Sequence, residues 1–236
     1  FFSSRRRHTR LVSDWSSACA LPIWKKTGGV LNKLRNRQET FMIPNVHGLS
    51  YYGYQYRFGK EHPEYFALRN GKRIDNGQLC LSNPNVLDIC KRRLFEKMKS
   101  LPGYRIFSLS QNDNQAFCEC PNCKAIEERH GGHSGLIIWF VNQVADEAQL
   151  LFPQKYIGTF AYQYTRKPPV GICPKDNVVV RLCSIECCFA HPITAECPQN
   201  KAFVDDMKAW SKIAPHLFIW DYIVDYAQYM APWPNF

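Results

Sequence analysis

No phosphate-binding glycine loop is spelled anywhere in these 236 residues, neither G-x-G-x-x-G nor G-x-x-x-x-G-K-[ST]. That removes the common dinucleotide and nucleoside-triphosphate sites, where backbone amides must approach a phosphate closely. The one glycine-bearing stretch before a helix, "ERHGGHSG", follows no strand. H-E-x-x-H and His-x-His are missing too, so the usual ligand pairs of a metal-dependent hydrolase are not there. No window approaches the roughly 18 consecutive apolar residues of a membrane-spanning helix. No membrane span is expected, and a soluble protein is the default.

A basic surface for nucleic acid is lacking as well, although the net charge is +10. Residues 1–40 carry nine Lys/Arg against Asp14 and Glu39, which leaves 21 Lys/Arg against 18 Asp/Glu for the other 196 residues. A groove that tracks phosphates needs its cations clustered on the folded body. Here the excess sits at the N-terminus, and nucleic acid is not expected as a partner.

That N-terminus, "FFSSRRRHTRLVSDWSSACALPIW", has no apolar segment after its arginines and so does not read as a signal peptide. It resembles translated sequencing-adapter read-through at the end of a metagenomic reading frame. Residues 1–24 are therefore expected to be a non-native segment that belongs to no barrel element. Residues 25–236 are expected to form an incomplete (β/α) barrel of catalytic type.

From Phe41 onward, strand-like runs alternate with amphipathic segments. The runs are 41–46, 104–110, 156–164, 177–185 and 216–222; "NVVVRLCSI" is apolar almost throughout, as in a parallel strand covered on both faces. "SNPNVLDICKRRLFEKMKS" has Asn83 as N-cap and Pro84 at the first helical position. Leu87, Cys90, Leu94 and Met98 line one face of it, with Cys90 as a free core thiol. A second helix starts at Ser134 and buries Ile137, Phe140, Val141, Val144, Ala148 and Leu151. A third places Phe203, Met207 and Trp210 on one face. The alternation predicts a parallel α/β architecture, either an open sheet or a barrel. The connection between 156–164 and 177–185 is short and Pro-rich, which makes that parallel pair the weakest point.

In such folds chemistry sits at the C-terminal ends of strands, and that is where the unusual polar residues fall. The first run gives His47, and the second gives Gln111, Asn112, Asp113 and Asn114. The third closes with Tyr162, Gln163 and Tyr164. Glu186 follows the fourth, and Trp220, Asp221 and Tyr222 end the fifth. Three carboxylates suit glycoside chemistry, in which one carboxyl protonates the leaving oxygen and another activates water or attacks the anomeric carbon. Asp113, Glu186 and Asp221 are the candidate catalytic residues. His47, Gln111, Asn112, Asn114, Tyr162, Tyr164, Trp220 and Tyr222 are the candidate substrate-binding residues, rings stacking on sugar faces and amides bonding hydroxyls. The bland reading of each carboxylate is a helix cap or a loop tether. "YYGYQY" (51–56) is either a stacking platform or an aromatic loop packed over the barrel.

Eleven cysteines are present, ten of them outside residues 1–24. Cys118, Cys120 and Cys123, in "CECPNC", are spaced to share one structural zinc, which needs a fourth ligand from His130, His133 or Cys187. A disulfide within the loop and free thiols at the pocket rim are the alternatives. Cys187 and Cys188 follow Glu186 directly, and a Cys/His nucleophile with His191 is conceivable; packing is the plainer reading. No cofactor is required for the expected reaction.

The stretches "HPEYFALRNGKR", "QLCLSNPNV", "SQNDN…CECPNC", "FAYQYTRKPP", "VVRLCSIECCFAHP" and "IWDYIVDYAQYMAPWPNF" resemble a bacterial family, domain of unknown function 4838, from about Thr27 to Phe236. That family is similar to barrel-type glycoside hydrolases, nearest to the family-67 α-glucuronidases and more remotely to β-hexosaminidases. The resemblance implies a partial (β/α)8 TIM barrel, truncated at one or both ends with at least one strand missing, and a carbohydrate substrate, with uronic acid or hexosamine units. By that analogy Asp113 stands at the acid position, with Glu186 and Asp221 as the later pair. The second class of function is a non-catalytic carbohydrate-binding barrel. An extracytoplasmic location is expected, the export signal lying outside this sequence.

Overall fold

The computed structural model describes residues 47–49 and 61–222, together with the backbone of 12–13 and 42–43. Its main element is a six-stranded, all-parallel sheet. In chain order the strands are β1 (Val12–Ser13), β2 (Met42–Ile43), β5 (Ile106–Ser108), β6 (Tyr156–Ala161), β7 (Val178–Cys183) and β8 (His216–Trp220). In space they run β1-β8-β7-β6-β5-β2. A two-stranded antiparallel hairpin, β3 (Phe66–Arg69) and β4 (Lys72–Leu79), stands apart. Four α-helices are described in full: α1 (Pro84–Ser100), α2 (Pro121–Arg129), α3 (His133–Leu151) and α4 (Pro198–Ile213). None of them is long and apolar enough to cross a membrane.

The five expected strands are parallel neighbours in sequence order, including β6 with β7, where Phe160 pairs with Arg181. A parallel pair needs a crossover of about a dozen residues or more. Residues 162–177 supply it without an α-helix. Buried side chains pin this crossover to α3: Asn142 Nδ2 donates to the Cys173 carbonyl at 2.9 Å, and its Oδ1 accepts from the Lys175 amide at 3.1 Å. Asn177 Nδ2 donates to the Ala145 carbonyl at 2.8 Å. Two buried asparagines thus do what a covering helix does elsewhere.

Period-two alternation assigns the two faces of the sheet. Phe107, Ile157, Val178, Val180, Leu182 and Leu217 turn outward and join the large core with α1, α3 and α4. Ile106 and Val179 face inward with Tyr156 and Phe218 at one end of the strands. Phe160, Cys183 and Trp220 face inward at the other, with Tyr162 and Tyr222 just beyond.

The helices follow their sequence signals. The Asn83 side chain caps α1 through the Asn85 amide, 2.9 Å, and Cys90, Leu94 and Met98 are fully buried. Phe203 and Trp210 are buried on α4. Leu151 is not core: it lies 56% exposed in the last turn of α3. The Gly131–Gly132 pair, both at positive φ, joins α2 to α3, a helix linker and not a phosphate loop. Val12–Ser13 pairs in parallel with Phe218–Ile219. That corrects, for those two residues, the expectation that residues 1–24 contribute no sheet element.

Replacing Asn142 with Ala should strand the Lys175 amide and the Cys173 carbonyl and loosen the crossover. The expected loss is about 2 kcal/mol, read as a lower urea midpoint with an unchanged slope.

Candidate functional site

At the C-terminal ends of β6, β7 and β8 the inward aromatics wall a cavity of about 320 Å³. Its lining is His47, Asp113, Phe160, Tyr162, Cys183, Ile185, Trp220 and Tyr222. Five of the residues singled out from sequence therefore meet here. Phe160 packs edge-on against Tyr162 and Trp220, at 6.3 and 5.8 Å between ring centroids. The Arg181 guanidinium, buried in mid-strand, sits 4.6 Å over the Trp220 ring. The Trp220 indole N–H is buried with no acceptor among the described residues.

Asp113 is the acidic group of this cavity among the described residues. Its Oδ1 accepts a hydrogen bond from the Tyr162 hydroxyl at 3.0 Å, and Gln163 Nε2 donates to the same Tyr162 oxygen at 2.8 Å. Burial raises the Tyr162 pKa, and the adjacent Asp113 charge raises it further, so the phenol stays a proton donor. Burial likewise pushes the Cys183 thiol up to about 12, which makes it a wall and not a nucleophile. His47, at φ 53°, holds Nδ1 at 2.8 Å from the Gln111 carbonyl. The next residue, Gly48, lies so close to β5 that a Cβ there would overlap the Ser108 carbonyl. Only glycine lets His47 reach the strand end.

The amides expected to bind sugar are used by the protein itself. Gln111 is buried; its Nε2 donates to the Tyr162 carbonyl at 2.9 Å and its Oε1 accepts from Thr165 at 2.6 Å. Asn112 Nδ2 donates to the Gly77 carbonyl at 3.0 Å. Asn114 Oδ1 accepts from the Ala116 amide, also at 3.0 Å. These three side chains fasten the loop after β5 and do not line the cavity.

Tyr164 also departs from expectation. A 3₁₀ turn at Gln163–Thr165, with Gln163 at φ 51°, breaks the strand alternation. Tyr164 is thereby sent to pack against Phe117 and His133, beside a separate void of about 20 Å³.

Glu186 and Asp221 lie outside the cavity lining. Glu186 is 47% exposed and paired to Arg166 at 2.6 Å. Arg166 also holds Asp206 at 2.7 Å, both of those side chains being only 14% exposed. Asp221 Oδ1 accepts from the Ser184 hydroxyl at 3.1 Å and the Tyr222 amide at 2.9 Å. The Cys187 thiol is raised to about 12, chiefly by burial; Arg166 opposes the rise, and the Asp221 and Glu186 charges add to it. Of the three carboxylates singled out from sequence, Asp113 lines the cavity, whereas Glu186 and Asp221 are held by Arg166 and Ser184.

The sequence model for "Domain of unknown function (DUF4838)" matches residues 5–236. The chain belongs to the DUF4838 family. No curated protein matches it. Among solved structures it is similar to a β-N-acetylhexosaminidase from Bacteroides fragilis, at 15% identity and a TM-score of 0.47. The match covers 76% of this chain and 34% of that one, so the DUF4838 chain spans about a third of the length of that enzyme.

Several residues of this DUF4838 site carried no signal in the sequence reading. Phe160 and Ile185 line the cavity simply because they share strand parity with Tyr162 and Cys183. Cys80, at the end of β4, completes a buried group with Cys118, Cys120 and Cys123. His130, His133 and Cys187, the candidates for a fourth ligand, are not part of that group. Cys188 Sγ lies 3.1 Å from His191 Nδ1 in an exposed contact, and neither residue lines the cavity. The aromatic stretch 51–56 lies outside the described residues.

Arg166 and Glu186 separate the two readings of this rim. Glu186→Gln removes a largely exposed pair and should cost less than about 1 kcal/mol. Arg166→Ala leaves Asp206 without its cation and should cost about 2 kcal/mol more, both measured by chemical denaturation. Equal losses would show that Glu186 carries the network.

Proposed function

We propose that the strand-end cavity binds a carbohydrate and that the protein acts on a glycan in the manner of a glycoside hydrolase. The observation that carries the proposal is the Asp113 carboxylate held at 3.0 Å by Tyr162 in a cavity walled by Phe160, Trp220 and Tyr222. A volume of about 320 Å³ falls at the small end of the range of roughly 300–1,000 Å³ common for ligand pockets, a size suited to one sugar ring. The ring faces offer stacking to C–H surfaces. His47 and the Tyr162 hydroxyl offer polar partners to hydroxyls.

In this reading Asp113 transfers the proton at the glycosidic oxygen, with Tyr162 and Gln163 fixing its orientation. Asp221 is the next carboxylate in line, because both of its chain neighbours line the cavity. Glu186 is the third, and needs release from Arg166 before it can act. The parallel sheet is read as part of a (β/α)8 barrel: β1 lies against β8, as the first and last strands of a closed barrel do. Uronic acid and hexosamine units are the favoured sugars, by the family resemblance alone.

Among the described residues one carboxylate lines the cavity, which favours a second reading, a carbohydrate-binding barrel without turnover, because hydrolysis by the usual routes needs two. Aryl glycosides and uronic acid oligosaccharides, assayed alongside tryptophan fluorescence titration, distinguish the two. If the first reading holds, Asp113→Asn should lower kcat/KM by roughly 100-fold or more while sugar still perturbs the fluorescence. Saturable binding with no turnover of any glycoside would establish the second. Neither binding nor turnover would end both.

A further inference from the structure

The strongest feature outside the cavity is the cysteine group between the hairpin and α2. Cys80 comes from the end of β4, Cys118 from the loop after Asp113, Cys120 from the N-cap of α2 and Cys123 from its first turn. All four are at least 95% buried, and their sulfurs lie within 4.8 Å of one another. Cys80 Sγ is 3.6 Å from Cys120 Sγ and 3.9 Å from Cys123 Sγ. A disulfide needs about 2.05 Å, so these are not bonded pairs. Four sulfurs each about 2.3 Å from a tetrahedral centre lie about 3.8 Å apart. The observed separations bracket that value.

The surroundings suit thiolates. The Leu68 amide donates to Cys118 Sγ at 3.4 Å, and the Cys123 amide to Cys120 Sγ at 3.5 Å. The Ser82 hydroxyl lies 3.5 Å from Cys120 Sγ and 3.2 Å from Cys123 Sγ. Arg73 Nη1 approaches Cys118 Sγ at 3.9 Å, the right sign for a site that stays negative after a divalent ion binds four thiolates. The N-terminus of α2 adds its positive end to Cys120 and Cys123. With a cation bound, the sulfurs are thiolates and each amide above becomes a charge-assisted donor.

We propose that Cys80, Cys118, Cys120 and Cys123 bind one zinc ion as a closed tetrathiolate site. With four protein ligands it has no open position and supplies no chemistry. Its effect is mechanical. Two residues before Cys80, Gln78 Nε2 donates to the Asn112 and Asn114 carbonyls at 2.9 and 2.8 Å, and Gln78 Oε1 accepts from the Asn112 amide at 2.9 Å. Four residues before Cys118 the same loop passes through Asn114. Zinc therefore locks both ends of the segment that presents Asp113, whatever ligand the cavity takes.

Metal analysis and X-ray absorption on the purified 236-residue chain test the site directly. One zinc per chain with four sulfur neighbours at about 2.3 Å is the expected result. Cobalt(II) added to the metal-stripped chain should give thiolate-to-metal charge-transfer and tetrahedral ligand-field bands. Cys80→Ala should weaken zinc binding by more than about 100-fold, beyond what loss of an outer partner costs. Cys173→Ala, at an exposed thiol, should leave binding unchanged. Should Cys80→Ala fail to fold, the sulfur count on the unaltered chain decides alone. Fewer than four sulfurs, a disulfide in the mass spectrum, no zinc after reconstitution, or undiminished zinc binding by a folded Cys80→Ala chain would each overturn the proposal.

Discussion

Burial of β7 on both faces is the constraint on which the rest of this structure depends. All six of its side chains, Val178 to Cys183, are buried. On one face Val178, Val180 and Leu182 meet the helical layer; on the other, Val179, Arg181 and Cys183 meet side chains of the neighbouring strands. A charged side chain on the inward face must find compensation within the fold. Arg181 does so partly by lying over the Trp220 and Phe160 rings, at 4.6 and 5.9 Å. That contact fixes Trp220, and Trp220 sets one wall of the cavity. The cavity is thus a consequence of strand parity: among the described residues this rank ends at Phe160, Cys183 and Trp220, with Tyr162 and Tyr222 just beyond.

The Asp113 loop is held from outside that rank. Gln78 acts as a short stretch of extra sheet, its amide copying the donor and acceptor of a backbone unit toward Asn112. The hairpin that carries Gln78 is braced by the loop in turn: the Gln78 amide donates to the Ala116 carbonyl, and the Glu119 amide to the Leu68 carbonyl. Arg69 adds an ion pair to Glu119 at 2.9 Å, with its guanidinium over the Phe117 ring. Hairpin and loop are therefore one unit, too small to bury a core alone. The cysteine group stands at its centre, where a cross-link adds most.

Much of this was legible in the sequence because it obeys short-range rules. The five parallel strands, the Asn83–Pro84 start of α1 and the stripes of α1 and α4 all rest on periods of two or 3.6 and on capping chemistry. The hairpin was legible too, since Asn70–Gly71, both at positive φ, is a standard two-residue turn, yet it went unread beside the stronger helical signals. Cys80 was not legible: ligand-spacing rules compare cysteines a few residues apart, and it comes from a different element than Cys118. Nor could the sequence place Tyr164 or Glu186. A strand's alternation ends wherever its hydrogen bonding ends, and neither the 3₁₀ turn at Gln163 nor the reach of Arg166 leaves a mark in composition. Gln111, Asn112 and Asn114 show the same limit, because a polar residue at a strand end serves the backbone before it serves a ligand.

Such a division of labour decides what a ligand would meet. The polar side chains nearest to Asp113 in sequence are committed to the loop, so a ligand in the cavity would meet groups that are distant in sequence: His47, Tyr162, Trp220 and Tyr222. Three of these are aromatic, and Tyr162 is the one the structure shows touching Asp113. An apolar ligand would cover the exposed Asp113 carboxylate and leave it with the Tyr162 hydroxyl as its one shown partner. A ring with apolar faces and a hydroxylated edge satisfies both walls and rim. Asp113 is exposed, so a ligand lying across it would withdraw it from water and strengthen its bond to Tyr162. The carboxylate then becomes a more selective group when the cavity is filled than when it is open.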